Sequence, residues 1–157
     1  MDCPFCFPTV WTSVFAFNAN FLGVYNLAPI LPGHSLIVPR KHYHSIFEMS
    51  DPELSEMIVF TKKVTELLTD TFHAEAFNWS LQEKESAGQS VAHLHLHVVP
   101  RYQGDMPDPG DWYPMIRDNF GEILDSSNRE KLSDQEMRQV VSRLRILAEE
   151  RQLYFPG

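Results

Sequence analysis

The sequence predicts an α+β fold: a mainly antiparallel sheet, one long helix packed on it, and a second helix near the C-terminus. Three observations carry that prediction. Short β-rich runs follow one another over residues 11–38 with turns, not helices, between them. Residues 50–72 repeat apolar side chains at helical spacing behind a helix-start signature. Residues 93–98 alternate histidine with apolar residues, the period of a strand. Strands and helices do not alternate as regular βαβ units, and this pattern favours the mainly antiparallel sheet.

The elements follow in order. Trp11 to Phe17 is rich in β-formers, Asn18-Ala19-Asn20 is a turn, and Phe21 to Tyr25 is the return strand. Pro29 and Pro32-Gly33 punctuate the next connection, and Ser35-Leu36-Ile37-Val38 is a short buried strand stopped by Pro39. Ser50 caps a helix, with Glu53 three residues on and Pro52 tolerated in the first turn. Leu54, Met57, Ile58, Thr61, Val64, Leu67 and Leu68 then mark one face, and the helix runs to about Phe72. Ala76 to Glu83 returns to strand character, Lys84 to Gln89 is a polar loop, and Val91 to Pro100 is the clearest strand. Gln103 to Pro114 carries Gly104, Pro107, Pro109 and Gly110 and reads as a surface loop. Ser133 and Glu136 repeat the capping pattern before a helix over about 133–150, whose stripe is Met137, Val140, Val141, Leu144 and Leu147.

The chain has 157 residues, the size of a single domain, and 43% hydrophobic against 22% charged residues is globular composition. No run of 18 apolar residues predicts a membrane span, and the absence of a signal-peptide pattern leads to a cytoplasmic expectation. Thirteen basic against 21 acidic residues give a formal charge of −8. Such a surface repels a nucleic-acid polymer, while a local pocket for a small phosphate ligand stays compatible with it. Two cysteines, Cys3 and Cys6, do not make a disulfide scaffold.

His93, His95 and His97 share one face of the expected strand; Leu94, Leu96 and Val98 share the other and point to the core. Same-face residues lie ~6.6–7 Å apart along a strand, too far for three rings to converge easily on one ion. A nucleophile flanked by two helpers suits that spacing better. Neutral imidazole is competent for the task, because its unperturbed pKa is about 6.5. Arg40 and Arg101, each after a proline at a strand end, read as exposed basic residues outside the site.

The run His93-Leu94-His95-Leu96-His97-Val98-Val99 resembles the signature of the histidine triad family. Ala87-Gly88-Gln89-Ser90-Val91 resembles that family's phosphate loop, and Pro32-Gly33-His34-Ser35-Leu36 its upstream strand motif. The resemblance covers about residues 3–105. Val24-Tyr25-Asn26 and Ser80-Leu81-Gln82 are most similar to the fragile-histidine-triad branch. It implies a nucleotide hydrolase or transferase working through a nucleotidyl-histidine intermediate, and a homodimer whose two sheets join. Carried onto this chain, it implies His95 as nucleophile, His97 near the leaving group and His34 behind the triad. It further implies Gln89, Ser90 and Gln82 on the phosphate side, Asn26 at the ribose, and Val24 and Leu36 as walls of the base pocket.

Cys3-Pro4-Phe5-Cys6 is half a zinc site, and two more ligands are required. Some bacterial members, and the related galactose-1-phosphate uridylyltransferases, pair such cysteines with two histidines. That resemblance implies His42 and His93, with His44 as a competitor, and a structural zinc that leaves catalysis to the protein. The expected reaction is cleavage of a dinucleoside polyphosphate at the α-phosphate. A nucleoside phosphoramidate hydrolase and a nucleotide-binding regulator with little turnover are the alternatives. A metal-dependent hydrolase built on the three triad histidines is a third class.

Overall fold

The computed structural model describes residues 3–117 and 129–155, and residues 118–128 of the C-terminal extension lie outside that description. A five-stranded sheet has the order β1-β2-β3-β5-β4, from β1 (Val14–Phe17), β2 (Phe21–Tyr25), β3 (Ser35–Pro39), β4 (Ala76–Leu81) and β5 (Leu96–Arg101). Every neighbouring pair is antiparallel. The first run of β-formers begins as a 3-10 turn over Thr9–Ser13, so the strand starts at Val14 and not at Trp11.

Helix α1 (Asp51–Phe72) starts where a reciprocal capping box fixes its first turn. The Ser50 hydroxyl accepts from the Glu53 amide, and the Glu53 carboxylate accepts from the Ser50 amide, satisfying donors the first turn leaves over. Met57, Phe60, Val64, Leu67 and Leu68 are buried against one face of the sheet, where they meet Phe15, Tyr25, Ile37, Leu94, Leu96 and Val98. Helix α3 (Asp134–Glu150) has the same box at Ser133 and Glu136 and adds Met137, Val141, Leu144 and Ala148 to that core. Val10, Val14, Leu22, Val24, Leu36 and Val38 form a second cluster.

Further expectations need correction. The histidine run is not one continuous strand from Val91: β5 begins at Leu96, after residues 91–95 have bent out of the ladder. The pairing of β3 with β5 stops at Ile37↔Leu96. Beyond it the Leu94 amide bonds to the Tyr43 carbonyl, while the His93 carbonyl accepts from a side chain. The Gln103–Pro114 loop is also more ordered than composition indicates. A 3-10 turn over Pro109–Asp111, capped by Asp108, leads into α2 (Trp112–Arg117).

Arg101 is buried, contrary to its reading as an exposed base. Its guanidinium pairs with Asp105 at 2.7 Å and donates to Asn78 and to the Pro109 carbonyl. Gly33 turns the chain before β3 with φ +90°, and a Cβ there would stand 2.8 Å from Pro100 and 3.0 Å from Phe72. Among the described residues no helix is long and apolar enough to cross a membrane.

Leu94 is fully buried between two site histidines, so the core and the site share this segment. Leu94→Ala is expected to destabilise the protein by about 2–5 kcal/mol in urea unfolding, the usual range for a leucine-to-alanine cavity. A loss under 1 kcal/mol would separate the histidine segment from the core.

Candidate active site

Backbone groups fix the tautomers of four histidine rings. The Ile30 amide donates to His34 Nδ1 at 3.1 Å, so His34 carries its proton on Nε2. That N–H donates to His97 Nδ1 at 2.9 Å, which places the His97 proton on Nε2. His95 donates from Nδ1 to the His93 carbonyl at 2.8 Å, leaving a lone pair on Nε2. His93 donates from Nε2 to the Pro39 carbonyl at 2.8 Å, leaving a lone pair on Nδ1. The ladder between β3 and β5, with Leu36 opposite His97, holds the two halves together.

His95 and His97 line a cavity of about 460 Å³, with ring centroids 5.0 Å apart. Val24, Leu36 and Asn26 line the same cavity, as do Ser90 and Val91 from the loop before β5. Asn26 Oδ1 accepts from the Ala28 amide at 2.9 Å, which orients the side chain. His34 is fully buried behind His97 and does not reach the cavity wall. Gln82 and Gln89 also stand off the wall. Gln82 donates to the Ser80 hydroxyl, and Gln89 accepts from the Lys84 amide while its Nε2 is buried with no partner among the described residues.

Sequence reasoning missed two groups. Phe5 lines the cavity and sets its ring edge-on to His95 at a centroid distance of 5.0 Å. Arg129 reaches the cavity, donating to the carbonyls of Ala28 at 2.9 Å and Met115 at 2.8 Å. Cysteine spacing drew attention to the residues on either side of Phe5 and away from the ring itself. No local signal marks Arg129, which tertiary folding alone brings to Ala28.

The metal candidates fall into a separate cluster. Cys3, Cys6, His42 and His93 place their ligand atoms within 4.8 Å of one another. Cys3 Sγ is 3.5 Å and Cys6 Sγ 3.6 Å from His93 Nδ1, and Cys6 Sγ is 3.4 Å from His42 Nδ1. A tetrahedral zinc with ordinary Zn–S and Zn–N bonds sets sulfur and nitrogen ~3.5 Å apart, so the donors fit. The Pro39 carbonyl at His93 Nε2 is the kind of outer partner that would orient a metal-binding imidazole. His44 turns away to the Ala92 carbonyl at 3.1 Å. His93 thus faces the thiols and not the cavity, which removes the arrangement required for a hydrolase using all three triad rings on one metal.

The HIT domain pattern matches residues 10–104. The chain belongs to the HIT domain family. It is 33% identical over 62% of its length to a bis(5'-nucleosyl)-tetraphosphatase of Schizosaccharomyces pombe, and that match spans 54% of the yeast protein. It is 32% identical to a bifunctional bis(5'-adenosyl)-triphosphatase/adenylylsulfatase of Arabidopsis thaliana, over 78% of this chain and 70% of that one. Among solved structures, a Zn-bound histidine triad family protein from Mycobacterium smegmatis shares the fold, with a TM-score of 0.63 at 22% identity over 88% of this chain and 86% of that one. This HIT chain therefore spans only about half the length of its yeast relative.

Burial holds the rings neutral. It pulls His34 down to about 3, with help from the Arg129 guanidinium and from His95. It also lowers His97 well below 6.5, with His95, His34 and Arg129 contributing, and it lowers His95. In the unfolded chain these rings return to their ordinary value near 6.5. Between that pH and the folded values the unfolded chain binds more protons, so stability is intact above about 6.5 and falls as acid is added. Urea unfolding from pH 7 to 5 is expected to show that fall, by up to ~1.4 kcal/mol per pH unit for each ring. His34→Gln should flatten the slope by one proton's worth. A flat wild-type profile would mean that the rings take up protons equally in the folded and unfolded chains, so that burial does not hold them neutral.

Proposed function

We propose that this HIT protein hydrolyses dinucleoside polyphosphates at the α-phosphate, with His95 as nucleophile. One observation carries the reading: the His93 carbonyl holds His95 Nδ1–H, so the Nε2 lone pair is the reactive one on a ring that lines the cavity. Attack forms an N–P bond and breaks the bond to the leaving polyphosphate oxygen. Positive charge then develops on the His95 ring, and the same carbonyl stabilises it. His97 donates its Nε2–H to the leaving oxygen, an anion that does not require a full proton. Water then displaces the imidazole and releases a nucleoside monophosphate.

The remaining roles fit this scheme. Ser90 and the partnerless Gln89 Nε2 supply donors to the phosphate oxygens once the substrate draws the loop in, and Gln82 supports them. Asn26 meets the ribose, and Val24 and Leu36 flank the base. His34 keeps His97 in the donating tautomer. The named activities of the yeast and plant relatives support the substrate class.

His95→Ala is expected to lower kcat by about 10⁴–10⁶ on diadenosine tri- or tetraphosphate while AMP binding survives. Gln89→Ala and Ser90→Ala should each cost less, roughly 2.7–4 kcal/mol of barrier at most. Comparing kcat/KM on those two substrates and on an adenosine phosphoramidate tests the class. Preference for the phosphoramidate, or more than a tenth of the wild-type rate in His95→Ala, would overturn this reading.

We also propose that Cys3, Cys6, His42 and His93 hold one structural Zn²⁺. When bound, zinc supplies a crosslink between the N-terminal turn and the sheet. The convergence of the four donors supports this, as does the neutral state of His93, which burial pulls down to about 4. Protein purified without added metal should contain one zinc per chain by elemental analysis. Cys3→Ser/Cys6→Ser should lose it and melt at lower temperature. Zinc that survives the double substitution would place the ligands elsewhere. A homodimer joined through β4, the strand at one end of the sheet with Phe77 half exposed, completes the proposed assembly.

A further inference from the structure

The four-residue turn between the thiols has two faces with different tasks. Cys3 and Cys6 point to His42 and His93, while Pro4 and Phe5 line the cavity. Phe5 packs against the apolar cluster that holds Val24 and Leu36, and its ring lies edge-on to His95 at 5.0 Å and to His93 at 6.1 Å. The same side chain therefore touches the expected base walls, the nucleophile and a metal ligand.

Little else ties this turn down. Its backbone bonds are local: the Cys6 amide to the Cys3 carbonyl at 3.1 Å, and the Val10 amide to the Cys6 carbonyl at 3.2 Å. Among the described residues, the polar contacts joining residues 3–6 to the segments that follow β3 and precede β5 are the three thiol–imidazole pairs. A metal bonded to all four donors fixes the cavity wall that Phe5 forms.

We infer that the Cys3/Cys6/His42/His93 cluster and the nucleotide cavity are thermodynamically linked, with Phe5 as the coupling side chain. The inference rests on the zinc clip and nucleotide site proposed above. Metal at the cluster orders Phe5 against His95 before the ligand arrives, so the ligand does not bear that ordering cost. Linkage is reciprocal: whatever factor zinc adds to nucleotide affinity, nucleotide adds to zinc affinity. Phe5 acts here as a positioning residue and contributes nothing to bond breaking.

The test uses the full chain, AMP and Zn²⁺. AMP affinity is measured by titration calorimetry on zinc-loaded and chelator-stripped protein. Zinc affinity is measured by chelator competition with and without saturating AMP. Stripping should weaken AMP binding about tenfold, within the usual 5–150-fold range of coupling, and AMP should tighten zinc by the same factor. In Phe5→Ala zinc should still bind, AMP should bind weakly, and the two affinities should no longer depend on each other. His42→Ala, which alters only an exposed ligand, provides the weak-metal arm if the stripped wild type melts below assay temperature.

Zinc binding with unchanged AMP affinity would overturn the linkage and leave the clip standing. Coupling that persists in Phe5→Ala would overturn the route through Phe5. A chain that takes up no zinc would overturn clip and linkage together, and one that binds zinc but not AMP would overturn the nucleotide reading and the linkage with it.

Discussion

The site depends on three backbone groups that decide where imidazole protons sit: the Ile30 amide, the His93 carbonyl and the Pro39 carbonyl. A histidine in water populates both tautomers, and only one serves each purpose here. The Ile30 amide acts through two rings in sequence, so a main-chain donor at residue 30 sets the chemistry of a nitrogen on residue 97. Burial removes the competing charged state, and the Arg129 guanidinium reinforces it from beyond the family's characteristic stretch. The sheet, the core beneath it and the turn at Gly33 serve to keep those three groups in register.

The histidine run divides its labour. His93 and His95 stand two residues apart, yet one faces the thiols and the other the cavity, because the chain between them has left the ladder. The carbonyl that a regular strand would give to its neighbour goes instead to His95. Departure from regular strand geometry is thus what frees a main-chain acceptor for the His95 ring. Leu94 anchors the irregular segment by burying its side chain completely and bonding its amide to Tyr43.

Local signals were legible in the sequence. The capping boxes of the two long helices lie at the serines that periodicity and spacing identify, since a cap is decided within four residues. The ladder of β2 with β3 also follows from short apolar runs bounded by proline and glycine. The start of β5 was not legible, because alternation continues through residues 93–95 while the pairing partner does not. Arg101 was misread because its acid, Asp105, lies in a stretch whose composition suggests only a loop. The four metal candidates and most cavity residues were found through family likeness, and the structure brings them to two adjoining places. Phe5 and Arg129 escaped, since a wall residue and a long-range cation leave no periodic trace.

The two ends of the sheet are treated differently. Outside β1, the Phe17 amide bonds to the Leu153 carbonyl at 2.7 Å, and Arg145 donates to the carbonyls of Val14 and Trp11. Helix α3 and the tail after it thus occupy groups another strand would use. The far end, β4, carries no such cover among the described residues. A sheet blocked at one end has a single valence for strand addition, so growth by edge pairing stops at two copies and cannot propagate into a fibre.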